Sequence, residues 1–347
     1  MRSLYIASTE GGGGKTTIAV GLCLALRVRG IGTGYFKPVG VAKNGDRDAD
    51  VAFAAEVLGL TEPLEDLCPV TLDEQALRAM GDVQADAMAR IEESYGNVAM
   101  AHELVVCDGL GEIWQGRFLR LSGADIVTRL GLETLLVSKF TGTRQLDDVC
   151  YTHDVLRKRL LGVVFTMIPE TRLEVVEHHY VPFLEENGIR TFGCIPSDAC
   201  LSAVPVSDIA SALRGRFLSG EEWASASAET YLIGAMSADH ALRYFERVPK
   251  KVVVVGGDRE DLIRAALQTP TTALILTGSY VPSDAVLAQA RAAKVSVVSV
   301  AGDTVAAAEG LRRLFGRLRV HERSKIDRVL QLIEERIDLE RLLTALR

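Results

Sequence analysis

The feature that most constrains the fold is a run of four glycines near the start of the chain. Residues 3–17 read Ser-Leu-Tyr-Ile-Ala-Ser-Thr-Glu-Gly-Gly-Gly-Gly-Lys-Thr-Thr, so an apolar segment leads into glycines and then into a helical pattern. A strand, a glycine-rich loop and a helix in this order are typical of a phosphate-binding loop. Glycines let backbone N–H groups surround phosphate oxygens, and the helix N-terminus adds a favourable dipole. The sequence therefore predicts nucleotide binding here.

The residues of this phosphate-binding loop have predicted roles. Lys15 would place its ammonium on the β- and γ-phosphates, and Thr16 would place its hydroxyl on Mg²⁺. The loop departs from the common pattern because Thr9 stands at the first glycine position. A glycine-rich turn that binds nothing is the alternative, and the order of strand, glycines, lysine and threonine argues against it. The residues predicted to contact the nucleotide here are Thr9, Glu10, Gly11, Gly12, Gly13, Gly14, Lys15, Thr16 and Thr17.

Charged residues also end two other apolar segments. Asp108 follows the run Leu104–Cys107, and an acid at that point can hold Mg²⁺ directly or through water, or can simply cap a turn. Lys37 ends the segment that begins at Thr33. It is predicted to be catalytic, with Lys15, by bridging the γ-phosphate and an anionic acceptor; an ordinary surface lysine is the alternative. Asp50 opens the next helical pattern as a third predicted Mg²⁺ ligand, or as a charge that favours a helix N-terminus.

Apolar segments and helical patterns alternate along the first two hundred residues. Continuous apolar strands separated by helices are typical of a parallel sheet with helices on both faces. The predicted strands are Leu4–Ala7, Thr33–Val39, Leu104–Cys107, Thr134–Ser138, Leu161–Thr166 and Thr191–Ile195. The predicted helices are Thr16–Arg29, Asp48–Leu58, Asp73–Glu93, Gln145–Arg159 and Thr171–Asn187.

A second, smaller parallel α/β domain is predicted after a boundary near residue 210. The segment 197–219 lacks the alternation; it and its flanks hold Pro196, Pro205, Gly215 and Gly220 with several Ser and Asp residues. Strand–helix units then resume, which gives predicted domains at 1–210 and 215–325 and an amphipathic helix at 326–347. This last helix can close its own domain or pair with a second subunit as a homodimer. The predicted strands and helices are Val252–Val255, Arg259–Gln268, Ala273–Leu276, Ser283–Ala293, Val295–Val300 and Thr304–Phe315.

Composition narrows the class of protein. With 48% hydrophobic and 24% charged residues, the 347-residue chain has the composition of a soluble globular protein. Its net charge of −7 shows no basic excess, so nucleic acid is not an expected partner. The six scattered cysteines form no C-x-x-C pair and are interpreted as small core residues in a reducing cytosol. Without a signal-peptide pattern or an 18-residue apolar run, we expect a cytoplasmic protein that does not span a membrane.

Together these motifs resemble known families. Residues 1 to about 210 resemble the dethiobiotin-synthetase-like P-loop ATPases, through Thr9-x-x-x-x-Gly14-Lys15-Thr16, Tyr35–Val39, Asp50, Asp108-Gly109 and Gly193–Pro196. The resemblance implies ATP with Mg²⁺ as cofactors, and it places Thr166 and Pro196 beside the nucleotide base. In that family an Asn is common at the position of Thr166. Residues of about 215–325 resemble the DRTGG domain, through Gly256–Asp261, Leu276–Ser279 and Asp303-Thr304.

The order of the two domains resembles the N-terminal, non-catalytic half of long-form phosphate acetyltransferases. The resemblance implies a regulatory ATP-binding protein that does not transfer acetyl groups by itself, whose partner is a separate acyltransferase subunit or a small-molecule effector. A dethiobiotin-synthetase-like ligase that phosphorylates a carboxylate or carbamate is the alternative, with Gly109–Arg120 lining the acceptor pocket. A third hypothesis is that the DRTGG half itself binds a nucleotide, with Arg259 pairing either with a phosphate or with a nearby acid.

Overall fold

The fold consists of two compact units. The computed structural model describes residues 2–41, 48–72, 83–315 and 323–346. The first unit combines Met1–Asp198 with Val320–Arg347, and the second is Ala199–Arg319. The predicted boundary near residue 210 thus falls inside the second unit. None of the described helices is both long and apolar enough to span a membrane.

The first unit is organised around a six-stranded parallel sheet in its described part. The order across the sheet is β2-β5-β1-β6-β7-β8, and β3 pairs with β4 separately, also in parallel. Its strands are almost wholly buried because helices cover both faces, as the continuous apolar runs predict. The strands are β1 (Arg2–Ser8), β2 (Thr33–Phe36), β3 (Val39–Val41), β4 (Val70–Leu72), β5 (Leu104–Asp108), β6 (Glu133–Lys139), β7 (Leu160–Ile168) and β8 (Thr191–Pro196).

Helices connect these strands. One face of the sheet packs against α4, α5, α6 and α8, whose core residues include Ile91, Ile126, Val149 and Leu184. The helix α1 contacts the central strands from the other face. A π-helical turn, Val176–Tyr180, joins α7 to α8. The helices are α1 (Lys15–Val28), α2 (Ala49–Leu58), α3 (Leu64–Leu67), α4 (Val83–Ala101), α5 (Gly123–Leu130), α6 (Arg144–Leu156), α7 (Glu170–Val175) and α8 (Val181–Glu186).

The second unit has a five-stranded sheet in the order β10-β15-β14-β13-β12, with helices on both faces. Four strands are parallel, and the edge strand β10 is antiparallel to β15. Its strands are β9 (Val204–Pro205), β10 (Arg216–Ser219), β11 (Ser227–Ala228), β12 (Thr230–Ile233), β13 (Lys251–Gly256), β14 (Thr271–Thr277) and β15 (Ser296–Ser299). Its helices are α9 (Ala199–Ser202), α10 (Val206–Ala212), α11 (Ala238–Glu246), α12 (Glu260–Leu267), α13 (Asp284–Ala292) and α14 (Thr304–Phe315).

The C-terminal segment packs on its own unit. Instead of the one helix predicted at 326–347, it forms α15 (Arg323–Arg336) and α16 (Leu339–Ala345). The helix α15 lies against α1, where a Cβ added at Gly21 would come within 2.7 Å of Val329 and 2.9 Å of Ile333. The segment thus packs within the first unit, and pairing with a second subunit stays a prediction.

The predicted α/β class is confirmed, and several local predictions are corrected. The predicted strand Thr33–Val39 is split between β2 and β3, because Pro38 has no N–H to donate and Lys37 N bonds to Leu67 O instead. The helix predicted to end at Glu93 continues to Ala101; its predicted start, 73–82, lies outside the described residues. The second sheet is mixed rather than wholly parallel. Not all cysteines are core residues, since Cys200 is exposed.

Candidate functional site

The phosphate-binding loop joins the carboxyl end of β1 to the start of α1. Gly12 and Gly14 have φ of 77° and 90°, in the left-handed region that side chains other than glycine rarely adopt. Gly14 is the N-cap of α1, and no side chain caps this helix end. The N–H groups of the first helical turn therefore keep the capacity to donate to an anion.

Lys15, on the first turn of α1, is 8% exposed. Its Nζ donates to Ser8 Oγ at 3.0 Å, and Ser8 Oγ lies 2.7 Å from the carbonyl oxygen of Glu10. Burial lowers the pKa of the Lys15 ammonium, while the Asp108 carboxylate opposes that shift. The lysine is held by a neutral hydroxyl rather than by a carboxylate, and phosphate oxygens are stronger acceptors for it.

Lys37 is 5% exposed, so it is not the ordinary surface lysine of the alternative interpretation. Its Nζ lies 2.8 Å from Asp50 Oδ2, 3.3 Å from Asp48 Oδ2 and 3.7 Å from Asp108 Oδ2. Burial acts to lower the pKa of Lys37, but these three carboxylates outweigh it and raise the pKa. We call the three acids and Lys37 the carboxylate cluster; it keeps a charged lysine beside the loop.

Asp108 ends β5 and is completely buried. Its Oδ2 accepts a hydrogen bond from Thr16 Oγ1 at 2.7 Å and one from Tyr35 OH at 2.9 Å. Within the described residues its Oδ1 has no hydrogen-bond partner. Burial raises the pKa of Asp108, and the charges of Lys37 and Lys15 act in the opposite direction.

The three predicted Mg²⁺ ligands lie together. Thr16 Oγ1 is 2.7 Å from Asp108 Oδ2 and 3.2 Å from Asp50 Oδ2. Hydroxyl and carboxylate oxygens suit Mg²⁺, and the unpartnered Oδ1 of Asp108 leaves capacity for a further bond. Across the described ranges, no group of three His, Cys, Asp or Glu side chains is arranged to hold a metal alone.

The predicted base-contacting residues lie at the same edge of the sheet. Thr166 is buried, and its Oγ1 donates to Gly13 O at 2.9 Å, so it supports the loop. Pro196 ends β8 and pairs in register with Ile168 of β7. Of the remaining loop residues, Thr9 Oγ1 is 3.5 Å from Ser138 Oγ, and Gly11 N donates to Glu112 Oε1 at 3.1 Å.

Sequence reasoning missed the roles of Ser8, Asp48 and Glu112. Asp48 accepts hydrogen bonds from Asp50 N at 2.9 Å and Val41 N at 2.8 Å, so it caps α2 and fixes Asp50. An Asp just before a helical pattern is a recognised N-cap signal that could have identified it. Ser8 could have been inferred as the last residue of the strand that enters the loop. Glu112 carries no such signal.

The carboxyl ends of the strands in the second unit are arranged differently. Arg259 pairs with Asp261, with Nε–Oδ1 at 2.9 Å and Nη2–Oδ2 at 2.8 Å, so it takes the nearby acid of the two predicted partners. Thr277 Oγ1 lies 3.1 Å from Thr304 Oγ1. Ser279 adopts φ of 57°, a left-handed conformation at the third position of Thr277-Gly278-Ser279.

Comparison with known families decides the classification. A family model described as an AAA domain matches residues 2–204, more than half of the chain. The chain belongs to this AAA family. A second model, described as a DRTGG domain, matches residues 208–314. The first unit is thus a P-loop nucleotide-binding domain of the AAA family, and a DRTGG domain follows it, which confirms the resemblance inferred from the sequence.

The curated relatives of this AAA-family chain include two kinds of protein. A phosphate acetyltransferase of Pseudomonas aeruginosa is 25% identical, and the match covers 98% of this chain and 51% of that protein. An ATP-dependent dethiobiotin synthetase of Anaeromyxobacter dehalogenans is 29% identical, with 49% of this chain and 78% of that protein covered. The chain therefore spans about half the length of the phosphate acetyltransferases that it matches.

Two solved structures are similar to parts of the chain. The cell division protein MinD of Aquifex aeolicus has a TM-score of 0.38 and 15% identity, covering 58% of this chain and 84% of its own. The CBS and DRTGG domains of the regulatory region of Clostridium perfringens pyrophosphatase, complexed with diadenosine tetraphosphate, have a TM-score of 0.30 and 16% identity. They cover 45% of this chain and 73% of their own.

Proposed function

We propose that this protein binds ATP with Mg²⁺ at the phosphate-binding loop and that the bound nucleotide acts as a regulatory signal. The observation that carries the proposal is the contact of Thr16 Oγ1 with Asp108 Oδ2 at 2.7 Å, beside Lys37. A loop hydroxyl facing a strand-end acid is the pair of groups between which P-loop proteins hold Mg²⁺. The free thiols of all six cysteines support a cytoplasmic location.

Each residue has a role in this proposal. The loop backbone and Lys15 bind the phosphates, while Thr16, Asp50 and Asp108 hold Mg²⁺. The ion would neutralise part of the phosphate charge. Thr166 and Pro196 lie at the edge of the sheet where the base would extend.

The regulatory part of the proposal rests on the carboxylate cluster. A γ-phosphate beside Lys15 would compete with Asp48 and Asp50 for the Lys37 ammonium, because Lys37 Nζ is already within 3.3 Å of both acids. Asp48 caps α2, so a change of partner at Lys37 alters the start of that helix. Nucleotide binding would thereby change the conformation of α2, which lies outside the loop. The DRTGG domain would bind the small-molecule effector or the separate acyltransferase subunit that this state regulates.

A dethiobiotin-synthetase-like ligase is the second candidate, and one observation favours it. The segment Gly109–Arg120 is attached to the loop, since Glu112 accepts from Gly11 N and Gly111 O lies 3.1 Å from Ser8 Oγ. An acceptor carboxylate bound against this segment would lie near Lys15 and Lys37. Those two cations would stabilise the charge that develops during phosphoryl transfer.

The test is calorimetric titration with ATP and with GTP, with Mg²⁺ and with EDTA, followed by phosphate release on the same samples. The proposal expects Mg²⁺-dependent ATP binding that Lys15→Ala weakens by up to about a hundredfold and Lys250→Ala leaves unchanged, with very slow turnover. Lys250 is an exposed lysine of the second unit and serves as the matched control. Turnover that rises with an added carboxylate or amine would favour the ligase. If neither nucleotide binds, the nucleotide-binding proposal is wrong.

A further inference from the structure

A large cavity lies at the amino edge of the first sheet, at the opposite ends of the strands from the phosphate-binding loop. Its volume is about 910 Å³. It is bordered by Glu133 at the start of β6, by Leu160 and Leu161 at the start of β7, and by Thr344 of α16. All of these residues belong to the first unit. The cavity is therefore separate from the predicted nucleotide site.

The lining of this cavity is strongly basic. Five cationic side chains border it against one carboxylate, Glu133. The whole chain has a net charge of −7, so the local charge has the opposite sign to that of the protein. Concentrating like charges in a concave site costs free energy unless an anion compensates them. The five cations are Arg157, Lys158, Arg159, Arg190 and Arg341. We call this site the basic cavity.

The cations differ in how they are engaged. Arg341 forms a double ion pair with Glu185, with both N–O distances at 3.0 Å, and also donates to Thr191 O. Arg159 lies 3.5 Å from Leu132 O. In the part of the chain that the structure describes, Arg157 and Lys158 have exposed side chains without an ion pair of their own. Arg341 is thus held in place, while Arg157, Lys158 and the exposed Arg190 remain available to a ligand.

The backbone brings these cations together at a sharp turn. A 3-10 turn, Arg157–Arg159, joins α6 to β7 and presents three consecutive basic residues. Arg157 has φ of 49° and ψ of −126°, a conformation that is unfavourable for a residue with a side chain. Gly131 and Gly188, with φ of 72° and 76°, line the same cavity without side chains that would fill it.

The chemistry of the lining selects the class of ligand. Guanidinium groups bind phosphate through paired hydrogen bonds, and several of them suit a ligand with more than one phosphate. The volume is within the range of sites for organic ligands and exceeds what a single phosphate needs. We propose that the basic cavity binds an organic polyphosphate, such as a nucleoside di- or triphosphate, as a second site independent of the phosphate-binding loop.

The test uses the full chain with Lys15→Ala, which removes the loop lysine, and titrates ATP and inorganic triphosphate separately by calorimetry. We expect residual binding of both probes in this background, weakened by salt. Adding Lys158→Gln or Arg190→Gln should lower the affinity by about tenfold each, since a charge-assisted hydrogen bond is lost. Arg172→Gln is the matched control, because Arg172 is an exposed arginine of α7 outside the cavity lining.

A second measurement needs no substitution in the basic cavity, so it does not depend on whether the cavity variants fold. Amide hydrogen exchange of the Lys15→Ala protein should show protection of residues 157–161 when either probe is added. Equal protection by triphosphate and by ATP would mean that the phosphates are sufficient for binding. Stronger protection by ATP would mean that the nucleoside also contacts the cavity. No binding in the Lys15→Ala background, or binding that Lys158→Gln and Arg190→Gln leave unchanged, overturns the proposal. Neither result depends on whether the loop binds ATP in the unmodified chain.

Discussion

One buried lysine from each unit, Lys37 and Lys251, can be compared because their electrostatic surroundings are opposite. Lys37 of the first unit lies among three carboxylates, which raise its pKa against the effect of burial. Lys251 of the second unit is 0% exposed, and its Nζ donates to Thr269 Oγ1 at 3.0 Å and Pro270 O at 3.2 Å. Both of these partners are neutral, and burial lowers the pKa of Lys251 to about 8.

The different surroundings of Lys37 and Lys251 show which edge of each sheet accommodates a buried positive charge. Lys37 lies at the carboxyl edge of its sheet beside the phosphate-binding loop, where its charge is retained in a network that a phosphate can enter. Lys251 begins β13, at the amino edge of its sheet, and its environment penalises the charged form. Burial of a lysine alone is therefore no indication of a ligand site; the carboxylates around it distinguish the two.

The largest effect on stability is expected for Lys37→Met. It leaves Asp48, Asp50 and Asp108 close together without their cation, and loss of one partner from a buried ionic group costs about 3 to 5 kcal/mol. Urea unfolding should show this as a lower midpoint. Lys250→Met, which removes an exposed lysine paired with Glu229, should leave the midpoint unchanged. Equal unfolding midpoints for Lys37→Met and Lys250→Met would contradict the claim that Lys37 stabilises the three carboxylates.

Lys15→Ala should have its effect on binding rather than on folding. The Lys15 ammonium is held by the Ser8 hydroxyl, without a buried carboxylate of its own to leave uncompensated. Loss of a charged donor to the phosphates should lower the affinity of the loop for ATP by up to about a hundredfold, equivalent to about 3 kcal/mol. Calorimetry measures the affinity, and urea unfolding without nucleotide should give nearly the wild-type midpoint. A large loss of stability would mean that Lys15 resembles Lys37.

The lowered pKa of Lys251 makes stability depend on pH below the ordinary lysine pKa. Between about pH 8 and the ordinary lysine pKa, the unfolded state holds the Lys251 proton and the native state does not, so stability should rise with pH. At pH 7 the buried ammonium is destabilising, so Lys251→Met should be more stable than wild type. The difference in unfolding free energy between Lys251→Met and wild type should be smaller at pH 10 than at pH 7. A difference that stays constant with pH would argue against burial of the Lys251 charge as its cause.

The smallest effect is expected for Arg259→Gln. Its ion pair with Asp261 is exposed, with both side chains more than 40% accessible, and such pairs contribute little. We expect the unfolding midpoint and the affinity for ATP to stay at their wild-type values. A loss of ATP binding in this variant would support the hypothesis that the DRTGG half binds a nucleotide through Arg259.

The sequence predicted the charged residues of the site because they follow strand ends. In a parallel sheet the carboxyl ends of strands meet at one edge, so Thr16, Lys37 and Asp108 come together once the strands are recognised. The position of Lys37 among three acids could not be predicted, since it depends on side-chain reach and on the cap of α2. The edge strand β10 was also missed, because Arg216–Ser219 lies in the segment that lacks the alternation of apolar and helical patterns.

The basic cavity shows a second limit of sequence reasoning. Arg157, Arg190 and Arg341 are far apart along the chain, and only the packing of α16 near the starts of β7 and β8 brings them together. The consecutive Arg157-Lys158-Arg159 was the one local signal. Three basic residues at the end of a helix are common, so they indicate a ligand site only once the fold shows that they border a cavity.

The contact at Gly21 joins the helix that follows the phosphate-binding loop to the C-terminal helix α15. The phosphate-binding loop leads directly into α1, and Val329 and Ile333 of α15 occupy the space that a side chain at position 21 would need. Because buried side chains are closely packed, any displacement of α1 must also displace α15. A fluorophore attached along α15 would therefore detect a displacement of the helix that follows the phosphate-binding loop.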